Sequence, residues 1–236
     1  MPHAIAAFQR RFPSVELDLF EGDPDECIPR LRARELELAL IYEFDLEPPV
    51  AADLEQVRLV EDPLNIGLPA GHPLRSRKRI RLVDLVGERW IQGVRDGSTV
   101  EVLPRACRLA GFEPRIAFRT DDRIAVEGLV AAGVGVALIP QLTLPTVRPD
   151  VVVRPLQAKG LSRQVRAALP PGAYRPPAAM AMLEVLREVC DRLVADAARR
   201  LGTAADGLSP RRPGGTARRR NGSPRARPGR GRRRHG

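Results

Sequence analysis

The chain is poor in the residues that most often carry chemistry. Its 236 residues include three cysteines, three histidines and one tryptophan, and aromatic side chains make up 4%. Cys27, Cys107 and Cys190 are far apart and odd in number, with no second cysteine or histidine nearby. That spacing argues against a zinc site and against a disulfide framework, and the three read as ordinary buried thiols. His3 lies near the N-terminus, His72 in a Gly-His-Pro turn and His235 beside the last residue. None is placed as a general base, no serine stands in a Gly-x-Ser-x-Gly elbow, and no carboxylate pair has the setting of an acid/base or metal site. The residues therefore point away from an enzyme, with no catalytic residue, metal or cofactor assigned. Long apolar runs are missing too. Leu129 to Ile139 falls well short of the roughly 20 residues a membrane helix requires, and MPHAIAAFQRRF lacks a signal-peptide core and cleavage site. A cytoplasmic chain with no membrane partner is the expectation.

Charge is abundant but unevenly placed. The net charge is +10, yet eleven of the 39 basic residues and one of the 29 acidic ones lie in residues 203–236. Residues 1–202 thus carry 28 of each sign and are neutral. The 203–236 tail is dense in Gly, Pro and Arg with almost no apolar residues, so it cannot recover the entropy of ordering and is expected to be disordered. Such a tail suits nonspecific contact with nucleic acid, with an extension of no function as the competing reading. The whole chain is 43% hydrophobic, and its body can bury a core as one large or two small domains.

Asp121 to Pro140, DDRIAVEGLVAAGVGVALIP, reads as a complete helix, a glycine turn and a buried strand. Thr120, Asp121 and Asp122 are N-cap candidates, and Ile124, Gly128, Leu129 and Ala132 fall at helical spacing. Gly133 suits the left-handed stop, and Val136 to Ile139 suit a strand covered on both faces. A dinucleotide fingerprint needs its glycines between a strand and the following helix; here the order is reversed, so a helix-to-strand turn is preferred over phosphate cradling.

The rest alternates strands and helices. Pro2 to Arg11 predicts an amphipathic helix with Ile5 and Phe8 inward; Val15 to Phe20, VELDLF, alternates as a half-buried strand; a helix follows Gly22-Asp23-Pro24 with Cys27, Ile28 and Leu31 inward; and Leu36 to Tyr42 predicts another strand. This half of the sheet is expected to be parallel. Further on come two short strands around Asp62-Pro63, a solvated basic loop at Arg75 to Arg81, a short helix at Leu82 to Val86, and a strand at Glu88 to Gln92. A helix then runs from Gly97-Ser98-Thr99 to Ala110, followed by strands at Arg115 to Arg119, Val151 to Leu156 and Arg163 to Leu169, and a last helix from Ala178 to Ala198. Gly97-Ser98-Thr99 is the most suggestive polar site, because two hydroxyls and unpaired backbone N–H groups at a helix start suit a carboxylate. A plain N-cap is its alternative.

The landmarks AAFQRRFPSVELDLFEGD, LRARELELAL, GHPL, LVDLVGERWI with its GST, AGFEPRIAFRTDD and VEGLVAAGVGVALIP, in that order over about residues 1–198, resemble the effector-binding domain of LysR-type transcriptional regulators. The resemblance implies an α/β, periplasmic-binding-protein-like (type 2) fold. Two α/β subdomains, residues 1–67 plus 139–200 and residues 68–138, would be joined by two crossover strands around a small-effector cleft. It implies effector contacts at Gly97, Ser98 and Thr99, at Thr120 where a strand ends facing the cleft, and at Gly135-Val136 on the second crossover. Asp23 stands where relatives often have a Ser or Thr contact, and its carboxylate departs from that pattern. The family's N-terminal winged helix-turn-helix, its linker helix and the first strand of subdomain I are missing, so the chain is expected to be a shortened regulator with aggregation-prone open edges. Operator DNA would be read through the missing domain, and the complete protein would be a homo-oligomer sensing a small, anionic metabolite. A stand-alone solute-binding protein of the same fold is the runner-up, disfavoured by the lack of a signal peptide.

Overall fold

The computed structural model describes residues 1–22, 24–46, 51–94, 98–172 and 174–206. In order the elements are α1 (Pro2–Arg11), α2 (Pro24–Arg32), β1 (Ala39–Phe44), β2 (Glu55–Pro69), β3 (Ile80–Arg81), β4 (Arg89–Gln92) and α3 (Ser98–Leu109). They continue as β5 (Arg115–Arg119), α4 (Arg123–Ala131), β6 (Val136–Pro140), β7 (Val151–Gln157), β8 (Ser162–Leu169) and α5 (Pro177–Asp206). Single 3-10 turns occupy 73–76, 82–85 and 141–146, so the short helix expected at Leu82 to Val86 is one tight turn.

The sheet runs β1-β8-β2-β6-β4-β5, with β7 also on β2 and β3 on β7. β2 holds it together. Its residues 55–63 pair antiparallel with β8, and its residues 64–69 pair antiparallel with β6 and β7. The two short strands expected around Asp62-Pro63 are therefore one strand of 15 residues. Proline has no N–H to give, and Pro63 sits on the last rung of the β8 ladder, where a missing donor costs little. The parallel sheet expected for the first half is also corrected, because β1 is antiparallel to β8. Parallel pairing occurs instead where β4 meets β5 and β6, and where β3 meets β7.

Val15 to Phe20, expected as a strand, joins no ladder. Val15 and Leu17 pack with Leu38, Leu40 and Leu59 under α1 and α5, while Leu19 and Phe20 are exposed. The alternation is that of a strand, but a strand exists by pairing, and among the described residues β1 pairs with β8 alone. The layer above is built by α1 and α5, where Ala4 and Phe8 meet Met182, Val185, Leu186 and Val189. Ile5, expected inward, is half-buried, and Ala4 takes its place. α5 continues to Asp206, four residues into the 203–236 stretch expected to be unstructured. Residues 207–236 lie outside the described residues.

The helix-turn-strand unit at 121–140 is as expected in its boundaries. The Asp122 carboxylate accepts from the N–H groups of Ile124 (2.8 Å) and Ala125 (3.4 Å), and Gly133 closes the helix at φ +76°. Its buried face is different. Ile124 is 76% exposed, and the inward residues are Glu127 and Val130. Glu127 turns inward because its carboxylate accepts from the Arg148 N–H at 2.9 Å and meets Arg123 at 3.5 Å. Gly135 is glycine for packing, since a Cβ there would stand 2.5 Å from the Arg89 carbonyl on neighbouring β4.

Phe8 is fully buried at the seam of α1 and α5. Phe8→Ala is expected to cost roughly 3–5 kcal/mol, read as a lowered urea midpoint with an unchanged slope.

Candidate functional site

The parallel strands β4 and β5 end level with each other, and β6 runs on past them to Pro140. In an open α/β sheet, ligands bind beyond the carboxyl ends of such strands, where the connecting loops diverge toward helix N-termini. Here those ends are Gln92-Gly93, Arg119-Thr120 and Ile139-Pro140, and α3 and α4 begin just after the first two. Backbone and side-chain bonds fix this corner. The Thr120 N–H donates to the Gln92 carbonyl at 2.9 Å, tying β5 to β4 past their last rung. The Thr120 hydroxyl accepts from the Asp122 N–H at 3.1 Å, and the Asp121 carboxylate accepts from the Val94 N–H at 2.9 Å. Gly93 leaves room for that carboxylate, because a Cβ at Gly93 would lie 2.8 Å from it.

Beside the end of β6 lies the middle of β2, where Leu64 pairs with Pro140. Asp62 is fully buried and its carboxylate accepts from the Leu142 N–H at 2.8 Å and from the Arg163 guanidinium at 2.8 Å. Three separated segments therefore converge on one carboxylate: β2, the turn after β6, and β8. Arg163 also stacks on Tyr42 of β1, its guanidinium carbon 5.1 Å from the ring centre. Asn65, 2% exposed, reaches the Pro63 and Ile139 carbonyls, both at 3.4 Å. These polar groups are buried where β2 changes partners, and each has hydrogen bonds to offset its lost hydration.

The expected site residues are not all brought together. Thr120 stands at the carboxyl end of β5, bonded to the end of β4. Ser98 and Thr99 open α3, the helix that follows β4, so their backbone lies toward the same end of the sheet as Thr120. Val136 does not join them. It begins β6, level with Trp90, and its side chain is 1% exposed in the core with Trp90, Ile66 and Val102. Gly97 and Asp23 lie outside the described residues, Asp23 directly before α2. The residues not expected at the site from sequence are Asp62, Asn65, Gln92 and Asp121, the last of which was expected only as an N-cap candidate. The signal for three of them is a polar residue inside or ending an apolar strand, as in VEDPLNIGLP and RWIQ.

The three thiols and His72 take structural places. All three cysteines are buried, and burial pushes the Cys107 thiol up to about 12. His72 accepts from the Leu74 N–H at 3.1 Å and meets Glu88 at 3.2 Å, which fixes the Gly-His-Pro turn. Among the described residues no cluster of His, Cys, Asp and Glu could hold a metal ion, and no helix is long and apolar enough to cross a membrane.

With this geometry in place, comparison with known proteins is decisive. Residues 1–191 match the family described as LysR substrate binding domain. The chain belongs to that family. The transcriptional dual regulator GltC of Bacillus subtilis is 28% identical over 194 residues, 82% of this chain and 64% of that protein. The chain therefore spans about two thirds of the length of that regulator. The C-terminal domain of a LysR family transcriptional regulator from Rhodococcus sp. RHA1 is 26% identical, covers 79% of this chain and 91% of that domain, and superposes with a TM-score of 0.67. The BenM effector-binding domain with benzoate shares the fold at 19% identity, covering 81% of this chain and 86% of that one, with a TM-score of 0.69. LysR-type relatives are transcriptional regulators, not enzymes. The fold is thus the periplasmic-binding-protein-like (type 2) fold of LysR effector-binding domains.

Two substitutions test the buried groups described here. Asp62→Ala leaves Arg163 without its carboxylate in a largely buried site and is expected to cost roughly 3 kcal/mol in chemical denaturation, near the low end for a broken buried pair because Arg163 keeps some solvent. Cys107 supplies a pH test. Its folded pKa is raised, so the folded thiol holds its proton after the unfolded thiol has lost it. Relative to Cys107→Ala, the native chain is expected to lose stability as pH rises from about 9 toward 12, with no such difference below pH 8.

Proposed function

We propose that this chain is the ligand-sensing part of a LysR-type, DNA-binding transcriptional regulator, taking a small anionic metabolite in the cleft between two lobes. The observation that carries the reading is the corner where β4 and β5 end and α3 begins, within a chain of this family. A helix start presents unpaired N–H groups and the positive end of the dipole, which favour a carboxylate. Arg119 ends β5 at the same level as Gln92 and has no ion pair among the described residues, which adds a cation at that end. Structures of the same fold hold 2-PG in CcmR of Synechocystis, shikimate in QuiR and benzoate in BenM.

In this reading Gly97, Ser98, Thr99 and Thr120 contact the effector. Asp23 contacts it from the other lobe, its carboxylate accepting from a hydroxyl or N–H of the metabolite rather than meeting the anionic group. Val136 contributes its backbone alone, since its side chain is core. The lobes are residues 1–67 plus the C-terminal return, and residues 68–138. β6 and β7 hydrogen-bond to the second half of β2, which favours carrying the second lobe on to Gln157 rather than ending it at 138. The regulator acts in the cytoplasm as a homo-oligomer and reads its operator through a separate DNA-binding domain.

A thermal-shift screen of small carboxylates and aromatic acids on the chain tests the reading. For any acid that raises the melting temperature, Ser98→Ala with Thr99→Val is expected to weaken binding about a hundredfold, the equivalent of roughly 3 kcal/mol for two hydrogen bonds to a charged group. Titration calorimetry showing unchanged affinity would move the site away from α3.

A further inference from the structure

The turn between His72 and β3 carries a dense group of cations unconnected to the corner described above. Arg75, Arg77, Lys78 and Arg79 are exposed, and none has an ion pair among the described residues. Arg81, the fifth basic residue, is held by Asp84 at 2.6 Å, and Glu88 is engaged by His72. A body that is neutral over residues 1–202 thus concentrates positive charge on one short turn, where the Asp84 carboxylate bonded to Arg81 feels Arg77 as well.

A second observation lies beneath the same turn. Arg154 of β7 is 5% exposed, and its Nε donates to the Arg75 carbonyl at 2.9 Å while Nη1 donates to the Val153 carbonyl at 2.7 Å. It has no carboxylate partner among the described residues, and desolvation by burial pushes its pKa down. A buried guanidinium satisfied by carbonyls alone keeps its charge without a counter-charge, an arrangement that an anion outside the turn would relieve. Arg154 also anchors the turn that displays the exposed cations.

We propose that the 75–79 turn, anchored by Arg154, is a contact site for the phosphate backbone of duplex DNA. The cations stand on an exposed turn rather than converging on a pocket, which suits a linear polyanion more than a small anion. Contacts to phosphates position a protein without reading sequence, so this surface would set how the domain lies on DNA beside the operator. The assignment to DNA rests on the proposed regulator function.

The test uses the whole chain and Arg77→Ser/Lys78→Ser/Arg79→Ser, three exposed side chains whose loss leaves the core untouched. Fluorescence anisotropy with a labelled duplex of about 30 base pairs, from about 50 to 200 mM salt, gives the slope of log affinity against log salt. The triple variant is expected to reduce that slope by about 2 to 3 and to weaken binding at low salt about tenfold or more. The tail arginines contribute equally to both proteins, so an unchanged slope overturns the proposal. Saturable stabilisation by inorganic phosphate at matched ionic strength, lost in the variant while the DNA slope stays the same, overturns it in favour of a small anion. Loss of binding to phosphatidylglycerol vesicles with the DNA slope intact overturns it in favour of a membrane. The variant is expected to keep the thermal shifts given by small acids, so failure of the effector reading and failure of this one give different results.

Discussion

The structure depends on one strand having two sets of partners. β2 hydrogen-bonds to β8 along residues 55–63 and to β6 and β7 along residues 64–69, so both parts of the sheet are registered against the same backbone. A one-residue slip in either part would turn every β2 side chain to the other face, exposing Ile66 and Leu68, which are both fully buried. Asp62 sits at the change of partners and accepts hydrogen bonds from both sides of it, which fixes β8 and the turn after β6 to the same point. The ends of β4, β5 and β6 point the same way because β6 is held by β2 on one side and by β4 on the other.

Much of the architecture was legible in the sequence because it is written in local chemistry. Asp122 before an apolar helix, Gly133 after it and a short Val/Ala/Leu/Ile run are signals that act within a few residues, and the boundaries of α4 and β6 followed from them. Misreadings arose where a distant segment decides the outcome. Nothing near Leu36 to Tyr42 indicates that β8, more than 120 residues later, pairs with it antiparallel. Nothing near Asp62-Pro63 shows that the strand continues, since the break that proline suggests is absorbed by a change of partner. In α4 the exposed Ile124 and buried Glu127 reverse the apolar pattern, because Arg148 supplies a donor that the helix sequence does not contain.

The candidate site divides in the same way. A helix start with two hydroxyls could be read directly, and so could a strand ending at Thr120. Val136 was carried by its motif rather than by its surroundings, and its neighbours Trp90 and Val102 place it in the core. Asn65 and Asp62 stand in an apolar run and are the residues most visible in retrospect. Their partners, Ile139, Leu142 and Arg163, are assembled by folding and have no trace in the run itself.

The continuity of β2 also bears on stiffness. Fifteen residues at about 3.3 Å each make a strut of roughly 50 Å, hydrogen-bonded along almost all of it. On the return path, β7 gives way to β8 through Lys159-Gly160-Leu161, where Gly160 takes φ +72° against the side chain of Leu46. The two connections are thus mechanically unequal, one a braced beam and the other a short joint. Any relative rotation of the two ends of the sheet must be taken up as gradual twist along the first and as a sharp dihedral change in the second. Strain would gather around Gly160, remote in sequence from Thr120 yet three residues from Arg163, the partner of Asp62.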